Sequence, residues 1–516
     1  MPDGRQAGVS LILIFVTLAG AALRVGPAVL WPIRHDEVLT WLTAQADPTA
    51  FLLWAHHPHH PPLSYALARL STTLFGTDVE WALRLPSLLA GMACIPLAYA
   101  IGRALGSRAG GILLAILIAF DPLLVDQARL ARMYSLYALL FLAALYGLTH
   151  LEGRGRIPRW RWGLTGLGLG AIFWTHVLGL VLWGGVALGI ATGRGDGERR
   201  LAAVKAMGLA VVLSAVGLDW LWRHAVETIR SSASGQEGFG PSILALRGLD
   251  SVYPGTVAGL LLLLAALMGL IRLYRRDPFL SRVLVGLFLL SILAPVVGAG
   301  DRAYGINRYL LPLHLTAHVG LACLAASLGR PRLRWTAFAA IAFIAILWTK
   351  VAFPGAEARR AYAIGTLTRE LSKHYVRPGH AVKYVPRLLH QQGRYYGLPY
   401  ERYVTVGRPL PADYPFDTTW IVAGYGRALP DYSPDLPVTV DPELRYVLGP
   451  VARHYGVSYD KRRVESLLIE HGALAMSVSR NGIRYVVPSR AGKLPSREHE
   501  PVGAKARLEP GVKPHR

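Results

Sequence analysis

Cysteine is scarce. The 516-residue chain holds two, Cys94 and Cys323, both inside apolar runs, so there is no disulfide framework to read and no redox compartment to infer. Acidic residues are also few, 32 against 55 Lys and Arg, for a formal charge of +23. Such an excess can signal nucleic-acid affinity, but much of it falls in short loops between apolar runs and in a basic tail, so nucleic acid is not an expected partner. No internal repeat is evident, and no repeat array is read. Beyond Phe353-Pro354 the long apolar runs stop.

What the chain has in quantity is hydrophobic length. Hydrophobic residues make up 53% of it, with a mean hydropathy of +0.34. Apolar stretches at 10–30, 84–103, 109–126, 133–151, 162–174, 177–193, 202–222, 254–273, 282–299, 309–328 and 335–353 predict an all-α polytopic membrane domain of eleven spans over residues 1–353. The stretch 162–193 is interrupted by Thr175 and His176 and reads either as two short helices with a turn or as one broken helix. Charge decides between them. With the amino terminus cytoplasmic, the loops after the even-numbered spans hold Arg103 and Arg108; Arg154, Arg156, Arg159 and Arg161; Arg194, Arg199, Arg200 and Lys205; Arg272, Arg275, Arg276 and Arg282; Arg330, Arg332 and Arg334. All are short and basic, as cytoplasmic loops are. Reading 162–193 as one span would put the later basic loops outside. The first span is long and followed by others, so it reads as an uncleaved helix rather than a signal peptide. Residues 354–516 then face the opposite side from the amino terminus, the periplasm of a bacterial inner membrane.

Residues 354–490 read as a small α/β domain, with a helix over 357–374 and strands at 381–385, 419–423 and 483–487. Residues 491–516 are polar, basic and rich in Pro and Gly, and predict a disordered tail.

The chemistry-bearing segment is the first external loop, 31–83. It opens with Arg34-His35-Asp36-Glu37, continues through Trp54-Ala55-His56-His57-Pro58-His59-His60-Pro61-Pro62-Leu63-Ser64-Tyr65, and closes with Phe75-Gly76 and Trp81-Ala82-Leu83-Arg84-Leu85-Pro86-Ser87. Amphipathic stretches at 37–46 and 62–75 predict helices lying along a membrane surface. Carboxylates at the end of a span are costly to desolvate and commonly functional, although an Asp-Glu pair also suits the first turn of a helix.

This set resembles the GT-C superfamily of integral-membrane glycosyltransferases. The nearest branch holds protein O-mannosyltransferases, the aminoarabinose transferase of lipid A and the rhizobial galacturonosyltransferases. The resemblance rests on Asp36-Glu37 after span one, His60-Pro61-Pro62-Leu63-Ser64-Tyr65, Leu74-Phe75-Gly76 followed by Arg84-Leu85-Pro86-Ser87, Gln127-Ala128-Arg129-Leu130-Ala131-Arg132-Met133-Tyr134 before span four, and Arg308-Tyr309-Leu310-Leu311-Pro312 before span ten. It implies an inverting transfer of sugar from a polyprenyl-monophosphate donor to a lipid, glycan or protein acceptor. Asp36, with Glu37, would supply the catalytic carboxylate. Arg84, Arg129, Arg132, Arg308, His60 and Tyr134 would receive the donor phosphate, and Arg302 also lies on the external side. External arginines are also ordinary headgroup anchors, and Tyr134, Tyr137 and Tyr309 ordinary belt aromatics.

The histidines admit two readings, a divalent metal site at His59 and His57 or a polar loop wall. The resemblance puts a metal ligand and a lysine of the aminoarabinose transferase where this chain has His59 and His60. That transferase also has an Arg soon after its Asp-Glu and an Asp-Pro in its fourth-span motif, where this chain has Val38-Leu39-Thr40 and Arg132-Met133-Tyr134. Aminoarabinose is therefore not expected as the sugar. Asp121 and Asp126 are candidates for a second acid or for helix-end residues, and His176 for an interfacial histidine. A flippase of lipid-linked sugars would share the spans, the arginines and the groove without needing a base at Asp36.

Overall fold

A computed structural model describes residues 4–48, 61–76, 79–151, 157–193, 197–233, 256–298, 307–328, 331–352, 366–376, 380–385, 418–424, 448, 451–471 and 473–487. The chain divides into two compact units, one built mainly from Met1–Trp31 and Asp36–Gly355, the other mainly from Ala356–Pro430 and Pro437–Arg516.

The described residues of the first unit form helices joined by short turns. In chain order its helices are α1 (Gly4–Leu30), α2 (His35–Ala44), α3 (Leu63–Phe75), α4 (Glu80–Leu105), α5 (Arg108–Phe120), α6 (Pro122–Ala128), α7 (Tyr134–Thr149), α8 (Arg159–Phe173), α9 (Gly179–Thr192), α10 (Gly197–Ala233), α11 (Thr256–Leu273), α12 (Pro278–Gly298), a 3-10 turn (Asn307–Leu310), α13 (Leu311–Ser327) and α14 (Pro331–Ala352). Among the described residues three are long and apolar enough to cross a membrane: Val9–Leu30, Glu80–Leu105 and Arg308–Ser327. The pair α5 and α6, bent by 58°, makes a fourth. A helix occupies each of the other predicted stretches, and several of these are shorter apolar helices. The interrupted stretch 162–193 is two helices, α8 and α9, with a turn at 174–178. Leu11, Phe15, Leu18, Val212, Leu261 and Phe343 point outward, an apolar exterior suited to lipid.

Without a hydrophobic drive between helices in lipid, close packing of small residues matters more. A Cβ placed on Gly320 or Gly269 would run into the backbone of Ala266 or Gly320, so α11 and α13 approach backbone to backbone. The bend between α5 and α6 is written in two residues. Asp121 is extended (φ −64°, ψ 121°) and its carboxylate accepts the Leu124 N–H, while Pro122 supplies no donor at the first helical position. α12 starts the same way, with Asp277 accepting the Leu280 N–H ahead of Pro278.

In the second unit a four-stranded sheet runs in the order β1 (His380–Val385), β2 (Thr418–Gly424), β3 (Ala473–Ser479), β4 (Gly482–Val486). β1 and β2 are parallel and the other neighbours antiparallel. Alternation along β2 sends Trp420 and Val422 to one face, against Leu367 and Leu371 of a helix at 366–374. Ile421 and Ala423 go to the other face, against Val464 and Leu468 of Lys461–His471. The domain is thus α/β with helices on both faces. Three of its strands match expectation; β3 was not anticipated, because four of the seven residues of Ala473–Ser479 are Ala or Ser, which carry little strand signal. The expected tail lies outside the described residues.

Candidate active site

The two adjacent carboxylates have opposite surroundings. Glu37 is wholly buried and bidentate with Arg84, at 2.6 Å to Nε and 2.7 Å to Nη2. It also accepts the backbone N–H of Ala131 at 2.9 Å. Arg84 spends its remaining nitrogen on the carbonyls of Ala28 and Trp31, at 2.9 and 2.6 Å. This cluster ties the end of α1, the first turn of α2 and the 129–133 turn together. Thr40 Oγ1 donating to Ala131 O at 2.6 Å and Ser87 Oγ donating to Arg132 O at 2.7 Å close the same joint. Asp36 turns the other way. Its side chain keeps 29% exposure and pairs with Arg308 Nη1 at 2.9 Å, while Arg132 Nη1 donates to the Asp36 carbonyl at 3.1 Å.

Behind this pair stands an aromatic wall. Arg308 lies over the Tyr134 ring at 5.6 Å. The Tyr134 ring is 5.3 Å from His176, which in turn is 6.2 Å from Tyr309 and from Tyr137. Burial, reinforced by Arg132 and Arg308, pulls the His176 imidazole down to about 3, so it stands as a neutral ring. Burial likewise pushes the Tyr65 phenol upward, with Arg132 opposing the shift. A small cavity lined by Thr40, Ser64, Ser87, Ala131 and Arg132 adjoins the same turn.

Of the residues singled out in the sequence, the structure gathers Asp36, Arg132, Arg308 and Tyr134 in one place. Arg84 is committed to Glu37. Arg129 donates from Nε and Nη2 to Leu23 O at 3.0 and 2.8 Å and covers Trp31 at 5.3 Å. His57, His59, His60 and Arg302 lie outside the described residues. Asp121, a candidate second acid or helix-end residue, proves to belong to a group whose two histidines were missed. Asp121 Oδ2 meets His314 Nδ1 at 3.0 Å and His318 Nε2 at 2.8 Å, all three buried, and their donor atoms converge within 4.8 Å, close enough to hold a metal ion. The sequence carried the signal: two histidines four apart inside an apolar span, where ionisable groups are rare.

Known proteins share this architecture. Residues 59–222 match the family model of dolichyl-phosphate-mannose-protein mannosyltransferases. The crystal structure of ArnT from Cupriavidus metallidurans in the apo state superposes with a TM-score of 0.54 at 14% identity, over 81% of this chain and 93% of that one. The same enzyme bound to undecaprenyl phosphate gives 0.51 at 14% identity, over 86% and 97%. The apo oligosaccharyltransferase of Archaeoglobus fulgidus gives 0.50 at 10% identity, over 81% and 69%. No curated protein sequence matches the chain. The chain has the GT-C fold. Its polytopic helical domain thus sits in the membrane, and within that fold Asp36 is at the start of the helix that follows the first span.

Proposed function

We propose that this chain is an inverting glycosyltransferase that moves a sugar from a polyprenyl-monophosphate donor to a lipid, glycan or protein acceptor. The observation that carries the reading is Asp36, a partly exposed carboxylate paired with Arg308, its backbone carbonyl accepting from Arg132, at one end of an apolar bundle. Asp36 accepts the proton of the acceptor hydroxyl or amine as that atom bonds to the anomeric carbon. The bond from the anomeric carbon to the phosphate oxygen breaks on the opposite face, and the departing lipid phosphate is received by Arg308 and Arg132. In the resting pair Arg308 occupies Asp36; a donor phosphate competes for that guanidinium and frees the carboxylate when substrate is present. Glu37 acts through position, holding α2 and the 129–133 turn in register with Arg84. Tyr134 sets Arg308 from beneath.

The ArnT neighbour binds undecaprenyl phosphate, which supports a lipid-phosphate ligand for the same fold here. The reading places the enzyme in a bacterial inner membrane, with the 354–490 domain on the periplasmic side helping to place the acceptor and with residues 1–353 performing the transfer. His59 and His57 remain the loop donors for a divalent ion in this proposal, and no step is routed through one.

The test is release of free polyprenyl phosphate from a panel of polyprenyl-monophosphate sugars by the protein in nanodiscs, with native lipid extract as acceptor. Turnover that collapses in Asp36→Asn while donor still binds supports the assignment. Movement of labelled lipid between leaflets, without turnover and indifferent to Asp36→Asn, would make the chain a flippase.

A further inference from the structure

Beneath the site lies a buried polar network that the transfer chemistry does not use. Arg24 of α1, fully buried, donates to Gly20 O at 2.8 Å and to the last carbonyls of α5, Ala119 O at 2.8 Å and Ile118 O at 2.9 Å. Two residues beyond Ala119, Asp121 breaks the span, caps α6 with one carboxylate oxygen and meets His314 and His318 of α13 with the other. The network therefore joins three elements, and each carries one member of the site above it. α1 leads into Asp36, α6 leads into the turn bearing Arg132, and α13 follows directly on Arg308.

We infer that Asp121, His314 and His318 are positioning residues that set Arg132 and Arg308 around Asp36, a role that rests on the reading of those three residues given above. The alternative is a metal ion on the same three side chains. Both nitrogens sit on one carboxylate oxygen at 2.8 and 3.0 Å, within direct hydrogen-bond distance. Charge points the same way. The Asp121 carboxylate acts on the buried Arg24 guanidinium, and these two opposite charges offset each other, whereas a divalent ion would add about two positive charges at membrane depth, which is strongly unfavourable. His314 and His318 lie four apart on one helix face, so both reach the same oxygen without distorting α13.

The experiment is a double-mutant cycle read by binding of undecaprenyl phosphate to the full-length protein in nanodiscs. Arg308→Ala and His318→Leu are each expected to weaken binding about tenfold, and the double variant no more than Arg308→Ala alone, because His318 acts through Arg308. His318→Gln, which restores a donor, should recover most of the loss. Asp121→Asn keeps the oxygen that caps α6 and provides the same cycle if His318→Leu does not fold. Losses that simply multiply would overturn the positioning role while leaving the site reading intact. Absence of binding by the wild type would overturn both. One equivalent of metal in the purified wild type, measured by mass spectrometry and lost in His318→Leu, would make the cluster a metal site instead.

Discussion

The helix α7 connects two ion-pair regions that look alike in composition and differ in burial. At its far end Arg199 is bidentate with Asp277, at 2.7 and 2.9 Å, donates to Leu148 O at 3.1 Å and lies over the Phe279 ring at 4.9 Å. Asp277 meanwhile caps α12, and the two side chains are 4% and 7% exposed. At the near end, beside Tyr134, Asp36 pairs with Arg308 at 2.9 Å, and the two side chains remain 29% and 18% exposed. The first pair is almost wholly buried; the second keeps part of its surface exposed. Glu37–Arg84, one residue from Asp36, belongs with the closed kind. Residue type and closeness to the site therefore do not separate Asp36 from Glu37; what separates them is burial, complete for Glu37 and partial for Asp36, and the proposed role of Asp36 rests on that difference.

The sharpest way to break this comparison is Asp36→Asn. Loss of the open carboxylate should lower turnover by about 10²–10⁴-fold, the span of a general base. Stability should fall by about 1 kcal/mol or less, since a partly exposed pair contributes little. Rate assays beside thermal melts in the same detergent decide it; a variant with near-normal turnover would remove Asp36 from the chemistry.

The closed pairs should respond in the opposite sense. Arg84→Ala leaves Glu37 a buried, uncompensated charge and should cost about 3–5 kcal/mol of stability, as should Arg199→Ala for Asp277. Guarded melts should separate them: Arg199→Ala protein that stays folded should retain its rate, whereas Arg84→Ala should lose both. A small change in melting temperature for either would show that these clamps do not hold the bundle.

Much of this division was legible in the sequence, and the missing part has a physical cause. Hydrophobic length announced the helical domain, and the basic loops separated α8 from α9, because desolvation acts on every residue of a span and leaves a periodic trace. Asp36, Arg132 and Arg308 were visible as charges at span ends. The different fates of Asp36 and Glu37 were not, because they depend on which way each side chain leaves the first turn of α2, and Arg84 lies 47 positions from Glu37. His314 and His318 were overlooked for the same reason, since their partner Asp121 is 193 and 197 positions away. In the second unit β3 went unseen because it is buried on both faces by small Ala and Ser alternating with Leu474, Met476 and Val478, a composition with little β-branched or aromatic strand signal.

A weaker perturbation tests the scaffold between the two regions. Gly320→Ala would press a methyl group into the backbone of Ala266 and should cost about 1–3 kcal/mol by overpacking. It should leave the rate per folded molecule nearly unchanged, because neither region loses a bond. An equal loss of rate and stability would mean that α11 and α13 transmit strain to Arg308.

The smallest expected effect is one of pH, and it concerns the ring between the arginines. His176 is held neutral, with its folded value pulled down to about 3 from an ordinary 6.5 by burial and by Arg132 and Arg308. The unfolded chain therefore binds a proton that the folded chain refuses. Stability from this group is fully present above about pH 6.5 and declines as pH falls toward 3, with a slope of at most about 1.4 kcal/mol per pH unit. Melting temperature measured from pH 7.5 down to 5 should drop more steeply in the wild type than in His176→Gln, which has no proton to gain. The two arginines make the same slope a report on the open region: Arg308→Ala removes one of the charges that oppose protonation, so its curve should lie between the other two. Parallel curves in all three would mean that His176 is not buried against these arginines.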